Sequence, residues 1–198
     1  MTRPGSSPAA RGVCTIRTSR HDTRATAMKT LVDQLASYAA YHRDRRNIAT
    51  HLVGIPMIVL AVTVLLARPA FDAGGFVLTP AVLAATITTA YYLRLDLRYG
   101  VVMGLLLALS VAASHAIAAL PTATWLAAGV GLFVIGWVIQ FVGHWYEGRK
   151  PAFVDDVIGL IIGPLFVVAE VGFALGLRDE VRAQVEERAG PVRQAVAA

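Results

Sequence analysis

Cysteine and charged residues are both scarce in this chain. A single cysteine, Cys14, occurs among 198 residues, which excludes an internal disulfide and any cysteine-rich metal site. Charged residues make up 16% of the chain, against roughly 25% in an ordinary soluble domain. Hydrophobic residues make up 56% and the mean hydropathy is +0.60. These values predict an integral membrane protein whose length suits one domain.

Several catalytic and binding motifs are also missing. The chain has no His-Glu-x-x-His zinc-protease motif, no Gly-x-Ser-x-Gly elbow and no dinucleotide fingerprint. It also lacks the His-x-x-x-His and His-x-x-His-His clusters of membrane desaturases and hydroxylases. The net charge of +5 does not indicate a nucleic-acid partner, because the basic residues flank apolar runs and form no aromatic-basic module.

Residues 1–27 differ in composition from the rest of the chain. Five arginines lie there among Ser, Thr, Gly and Ala, with no apolar core of the kind that a secretory signal needs. We expect 1–27 to be a disordered extension, either a transit peptide or a segment upstream of a natural start at Met28. The predicted division is then an extension, a helical membrane domain over 28–178, and a C-terminal amphipathic surface helix and tail over 179–198.

Four apolar segments approach the length of about 20 residues that crosses a bilayer. A short amphipathic helix over 29–43 precedes the first segment, and Pro56 lies inside that segment. The four segments cover 47–67, 76–93, 99–120 and 124–144.

The basic residues between these segments alternate along the chain. Three arginines precede the first segment, two lie between the second and third, and Arg149 and Lys150 follow the fourth. The loop between the first and second segments carries only Arg68, and the loop between the third and fourth carries no basic residue. The positive-inside rule therefore places both termini on the cytoplasmic side of a multi-pass membrane protein.

A fifth apolar stretch, over 157–177, interrupts this simple count. It contains Gly163-Pro164 and Glu170, and it is followed by basic residues that again indicate the cytoplasmic side. We interpret it as a re-entrant or interfacial helical segment broken at Gly-Pro. The predicted fold is thus all-α: a polytopic membrane bundle of about four transmembrane helices, an N-terminal amphipathic helix and this broken segment.

Three of the five histidines lie at the predicted cytoplasmic ends of the apolar segments: His42, His51 and His144. On one straight helix His42 and His51 would point about 180° apart. One ion can bind both only if the chain turns near Arg43–Arg46 and folds the first helix back over the bundle. His115 lies near the opposite end of the third segment, so we exclude it from this site.

Two polar stripes support a shared site. Asn47 and His51 lie four residues apart on one helix face. On the fourth segment a polar stripe runs along an otherwise apolar helix, and it consists of Trp137, Gln140, His144 and Glu147. Polar side chains at this depth face the bundle interior, because lipid cannot satisfy them. The alternative is that the histidines only contact lipid headgroups or cap helices.

These motifs resemble a family of small membrane proteins, the 2-hydroxy fatty acid dioxygenases. The resemblance covers roughly 30–178, and its most specific part is Gln140-Phe141-Val142-Gly143-His144 with the downstream Pro151-Ala152. The other matching positions are Tyr41-His42, Asn47, His51, Glu147, Asp155, Pro164 and Glu170. The characterised member of the family acts in phytosphingosine breakdown in the yeast endoplasmic reticulum, and bacterial relatives are common. The spacing from His144 to Glu147 is one residue shorter than in the yeast-type motif.

The resemblance implies Fe(II)-dependent fatty acid α-oxidation. A 2-hydroxy fatty acid and O2 would give CO2, water and a fatty acid one carbon shorter. Breaking C1–C2 in this way removes four electrons, and O2 accepts four, so no reductase partner is required. The implied iron ligands are His42, His51 and His144, since imidazole suits iron. The other residues implied are Asn47, Glu147 and Asp155 as catalytic groups, and Arg46 and Arg149 as partners of the substrate carboxylate.

The residues alone leave a second class of function open. A helical membrane protein that binds haem between His51 and His144, or that binds lipid without oxygenase activity, would carry the same polar stripes.

Overall fold

The computed structural model describes residues 29–151 and 157–193. These residues form seven helices and one short hairpin, and the predicted extension over 1–27 lies outside them. The elements are α1 (Leu31–Ala39), α2 (Arg45–Leu65), β1 (Phe71–Ala73), β2 (Phe76–Leu78), α3 (Pro80–Leu95), α4 (Leu97–Ala118), α5 (Thr122–Glu147), α6 (Gly159–Ala174) and α7 (Asp179–Ala189). The predicted all-α membrane bundle is confirmed.

Three helices are long and apolar enough to cross a membrane: α2, α4 and α5. The pair α6 and α7 meets the same test together, but the two helices are bent by 117° at the break between them. Helix α3 has 16 residues, which is about 24 Å at 1.5 Å per residue. By length and composition, the described part of the chain therefore holds three candidate spans, or four if the bent pair counts as one.

Two boundaries differ from those expected. Helix α3 begins at Pro80 rather than near 76, because the Thr79 hydroxyl accepts a hydrogen bond from the Val82 amide and caps the helix there. The preceding residues pair instead as β1 and β2. Helix α6 continues through Pro164, and the chain bends later, near Gly176, which has a φ of +71°.

Helices α2 and α5 pack against each other through glycines. A Cβ added at Gly54 would lie 2.9 Å from the Gly136 carbonyl oxygen, and one added at Gly143 would lie 2.0 Å from the Thr50 hydroxyl oxygen. Small residues at such contacts allow two backbones to approach closely within a membrane. This close packing holds the N-terminal part of α2 beside the C-terminal part of α5.

A hydrophobic cluster joins α1, α6 and α7. Leu35 of α1, Phe166 of α6 and Val185 of α7 are each nearly fully buried in one hydrophobic cluster. An ion pair between Arg188 and Asp33, 2.5 Å long, also joins α7 to α1. Helix α1 is therefore held against α6 and α7.

Candidate metal centre

A tight turn between α1 and α2 carries the first histidine. A capping box at Thr30 and Asp33 starts α1, and Asp44 caps α2 by accepting a hydrogen bond from the Arg46 amide at 2.8 Å. Residues 40–44 reverse the chain between these two helices, which satisfies the requirement for a turn near Arg43–Arg46. The turn places His42 beside the first part of α2.

Three imidazoles meet at this point: His42 from the turn, His51 from α2 and His144 from the last turn of α5. The ring centroid of His42 lies 4.5 Å from that of His51 and 5.0 Å from that of His144. The centroids of His51 and His144 are 5.0 Å apart. One ring nitrogen of each lies within 4.8 Å of the other two, so the group can hold a metal ion. We call these three residues the histidine cluster.

Backbone carbonyls determine which nitrogens of two rings are available. The Nδ1 of His42 lies 2.7 Å from the Tyr38 carbonyl oxygen, and the Nδ1 of His51 lies 2.9 Å from the Asn47 carbonyl oxygen. A carbonyl only accepts, so each Nδ1 carries the proton and each Nε2 of a neutral ring keeps a free lone pair. Hydrogen bonds of this kind orient metal-binding histidines in proteins.

The histidine cluster is buried, and polar atoms within it lack partners. The Nε2 of His42 and the Nδ1 of His144 are both buried without a hydrogen-bond partner. The ring of Tyr38 stacks on His42 at a centroid distance of 4.2 Å. Burial lowers the pKa of His42 well below its usual value, and the nearby His51 acts in the same direction. His42 is therefore neutral, which is the form that binds metals.

Glu147 holds the turn rather than facing the three rings. Its carboxylate accepts hydrogen bonds from the backbone amides of Arg43 at 2.9 Å and Asp44 at 2.7 Å. It also accepts one from the Asn47 side chain at 3.1 Å. The side chain is 1% exposed. Glu147 thus ties the end of α5 to the turn that carries His42.

The C-terminal segment completes this attachment. The Arg193 amide donates to the Arg43 carbonyl at 2.7 Å, the Arg45 amide donates to the Arg193 carbonyl at 3.3 Å, and the Arg193 guanidinium forms an ion pair with Glu147. The Arg43 guanidinium in turn donates to the Gly190 carbonyl at 2.8 Å. Residues beyond α7 therefore fix the turn from its outer side.

Comparison with known proteins places this sequence in a family. A family model described as 2-hydroxy-palmitic acid dioxygenase Mpo1-like matches residues 28–175. The chain belongs to the Mpo1-like family. It is 31% identical over 160 residues to the 2-hydroxy-palmitic acid dioxygenase MPO1 of Saccharomyces cerevisiae, and the match covers 79% of this chain and 87% of the yeast protein. No solved structure gives a significant match.

The other residues predicted for the site are placed as follows in this member of the Mpo1-like family. Asn47 is fully buried and joins Glu147. Arg46 forms an ion pair with Asp44 at 3.1 Å, and Arg149 donates to the Ala40 carbonyl at 2.9 Å. Neither arginine lines the cavity beside the histidine cluster, and their role with substrate stays a prediction. Asp155 lies outside the described residues.

His115 lies away from the cluster, as the sequence predicted. It belongs to the last turn of α4, and its Nε2 is 3.5 Å from the Thr79 hydroxyl near the hairpin. Among the described residues, the histidine cluster alone groups three potential metal ligands in this way.

Two residues near the cluster were missed as site residues from the sequence. Tyr38 stacks on His42, and Gln140 lies one helical turn before His144 in the cavity wall. The signal for Gln140 was present in the polar stripe of the fourth apolar segment. Tyr38 had only its i, i+4 spacing from His42, which an amphipathic helix also explains.

Proposed function

We propose that this protein is an Fe(II)-dependent dioxygenase acting on 2-hydroxy fatty acids. The reaction breaks the C1–C2 bond of R-CHOH-COOH and, with O2, yields R-COOH, CO2 and H2O. Four electrons leave the substrate and O2 takes up four, so the atoms and electrons balance without a reductase. Membership of the Mpo1-like family and the histidine cluster support this proposal.

The observation that carries the proposal is the fit of the histidine cluster to a metal ion. Three imidazoles converge in a buried site, and two of their nitrogens have no protein partner. The residues that would hold the metal are His42, His51 and His144. Bound Fe(II) would supply the site that binds and activates O2, because three protein ligands leave coordination positions open.

The chain's own residues orient the ligands. The carbonyls of Tyr38 and Asn47 keep the protons of His42 and His51 on Nδ1, away from the cluster. In our proposal Asn47 and Glu147 act as positioning residues, since both hold the turn. Asp155 remains a catalytic candidate from the sequence.

The membrane location suits an amphiphilic substrate. The histidine cluster lies where α2 begins and α5 ends, so it is near one end of the spanning helices. A fatty acid presents its carboxyl group at such a boundary while its tail stays in the apolar region. The distribution of basic loops supports a cytoplasmic location for this end.

The geometry disfavours a haem between His51 and His144. A haem with two axial imidazoles needs the rings on opposite sides of the macrocycle. Here the ring of His42 lies within 5.0 Å of both other centroids, so no porphyrin plane fits between them.

The test combines metal analysis with product analysis. We expect purified wild-type protein to retain non-haem iron, His144→Ala to lose it, and the matched control His115→Ala to keep it. Iron-loaded wild type given 2-hydroxypalmitate and O2 should release pentadecanoate and CO2. A Soret band in place of non-haem iron, or no pentadecanoate from iron-loaded protein, would refute the proposal.

A further inference from the structure

Gln140 is a buried amide that no protein group satisfies. It is 3% exposed, and both its Nε2 and its Oε1 lack a hydrogen-bond partner. An unsatisfied buried polar group destabilises a protein, so a native structure rarely keeps two in one side chain without a use. The structure around Gln140 therefore indicates a missing partner.

The packing around Gln140 leaves space for its amide. A Cβ added at Gly54 would lie 2.8 Å from the Gln140 Nε2, so only a glycine fits opposite it. Gln140 lines a cavity of about 70 Å³ together with His51 and His144. The unsatisfied amide thus shares one small chamber with two residues of the histidine cluster.

We propose that the Gln140 amide binds the polar head of a 2-hydroxy acid. This inference rests on the proposed function and adds a specificity residue to it. A carboxylate offers acceptors and a 2-hydroxyl offers a donor and an acceptor, which together match the donor and acceptor of the amide. A site that pairs a buried polar group with a substrate hydroxyl rejects the analogue that lacks the hydroxyl.

The test compares two buried glutamines. Gln34 is 6% exposed, but its Nε2 donates to the Tyr91 hydroxyl at 2.9 Å. Without ligand, Gln140→Met should melt at or above the wild-type temperature, because it removes two unpaired polar atoms. Gln34→Met should melt lower, because it leaves a buried hydroxyl without its partner.

Ligand binding then separates specificity from stability. Thermal shifts are measured with 2-hydroxypalmitate and with palmitate, on protein whose metal content has been determined. Wild type and Gln34→Met should respond more strongly to 2-hydroxypalmitate, while Gln140→Met should lose about tenfold in affinity for it and most of its preference. Its metal content should equal that of wild type.

The following outcomes would overturn the inference about Gln140. A wild-type response in Gln140→Met would show that the amide does not contact the head. Loss of metal, or failure of Gln140→Met to fold, would give the amide a structural role. If wild type lacks iron or turnover, the proposed function fails. If wild type turns over 2-hydroxypalmitate and Gln140→Met does so with equal preference, only the present inference fails.

A second observation concerns the tail of the same substrate. A larger apolar groove of about 330 Å³ runs between α2, α4 and α6. It shares Ile55, Val59 and Pro164 with the chamber beside the histidine cluster. We infer that this groove holds the acyl chain, because it continues from the chamber and is lined almost entirely by apolar side chains.

Two neighbouring alanines on α4 test this route. Ala113 lines the groove and Ala112 does not, although both are exposed. Ala113→Trp should weaken binding of 2-hydroxypalmitate by roughly fourfold for each methylene displaced, and it should leave 2-hydroxyoctanoate unaffected. Ala112→Trp should bind both acids as wild type does. Equal effects of the two variants on both acids would overturn the inference.

Discussion

The contact at Gly143 gives the sharpest test of how the histidine cluster is built. In Gly143→Ala the new Cβ would lie 2.0 Å from the Thr50 hydroxyl oxygen and 2.5 Å from the Asn47 Oδ1. Neither neighbour moves freely, because Thr50 donates to the Asn47 carbonyl at 2.7 Å and Asn47 donates to Glu147 at 3.1 Å. Helices α2 and α5 must therefore separate.

The required movement can be compared with what a metal site tolerates. Cβ atoms essentially never come within 3.0 Å of another heavy atom, so the separation at Thr50 must grow by about 1 Å. Metal-ligand distances tolerate about 0.2 Å. His51 and His144 lie on opposite sides of this contact, one turn from Asn47 and beside Gly143. We expect Gly143→Ala to lose most of its bound metal.

The same movement lowers stability. Overpacking of this kind costs about 1–3 kcal/mol, which corresponds to a melting temperature lower by about 2–12 °C for a chain of this size. The control is Gly131→Ala on the same helix, where an added Cβ meets nothing within 4 Å. Metal analysis and thermal unfolding in detergent measure both effects. Wild-type metal content in Gly143→Ala, or equal losses in Gly131→Ala, would refute the reasoning.

Four further predictions concern the turn, the bundle end and the orientation. Glu147→Ala leaves two buried backbone amides without an acceptor, so it should lose about 2–6 kcal/mol of stability and most of its metal by elemental analysis. Arg193→Ala keeps those amides paired and should retain more metal than Glu147→Ala; the reverse order would contradict the assigned roles. Partial burial acts to raise the pKa of Asp96, but the hydrogen bonds from Arg178 outweigh it and the pKa lies below its usual value. The stability that this ion pair contributes is therefore complete above about pH 4 and is lost at lower pH. In Arg178→Ala the free energy of unfolding should fall less steeply as the pH is lowered below about 4. With Cys14→Ser as background, a cysteine replacing Thr122 should react with an impermeant maleimide in intact cells and one replacing Lys150 should not; the opposite pattern would reverse the predicted orientation.

Much of the fold followed from local patterns in the sequence. Apolar length identified α2, α4 and α5 as candidate spans, whereas α3, in the second predicted segment, is too short to meet the same test. The spacing of His42 and His51 required a turn between them. The hairpin over 71–78 was not predicted, because its second strand was assigned to the apolar segment that begins at 76, although Gly74-Gly75 between the two strands is a turn signal. The start of α3 was placed too early, although Thr79 followed by Pro80 is a sequence signal for a helix N-terminus.

The candidate site divides in a similar way. The three histidines could be grouped from their depth, since all lie at the same ends of apolar segments. The contacts of Glu147 could not be predicted, because they depend on a turn whose backbone amides carry no sequence signal. The attachment of Arg193 was also invisible, since it joins residues from the two ends of the described chain.

That attachment bears on the order in which the protein assembles. Arg43 and the carbonyl it reaches at Gly190 lie 147 positions apart, so this contact cannot form before the last part of the described chain has been synthesised. The ribosome therefore releases His42 long before the segment that immobilises it has been made. The turn that carries His42 is therefore completed only after residues 190–193 have been made, so a metal held by all three histidines would be bound after translation rather than during it.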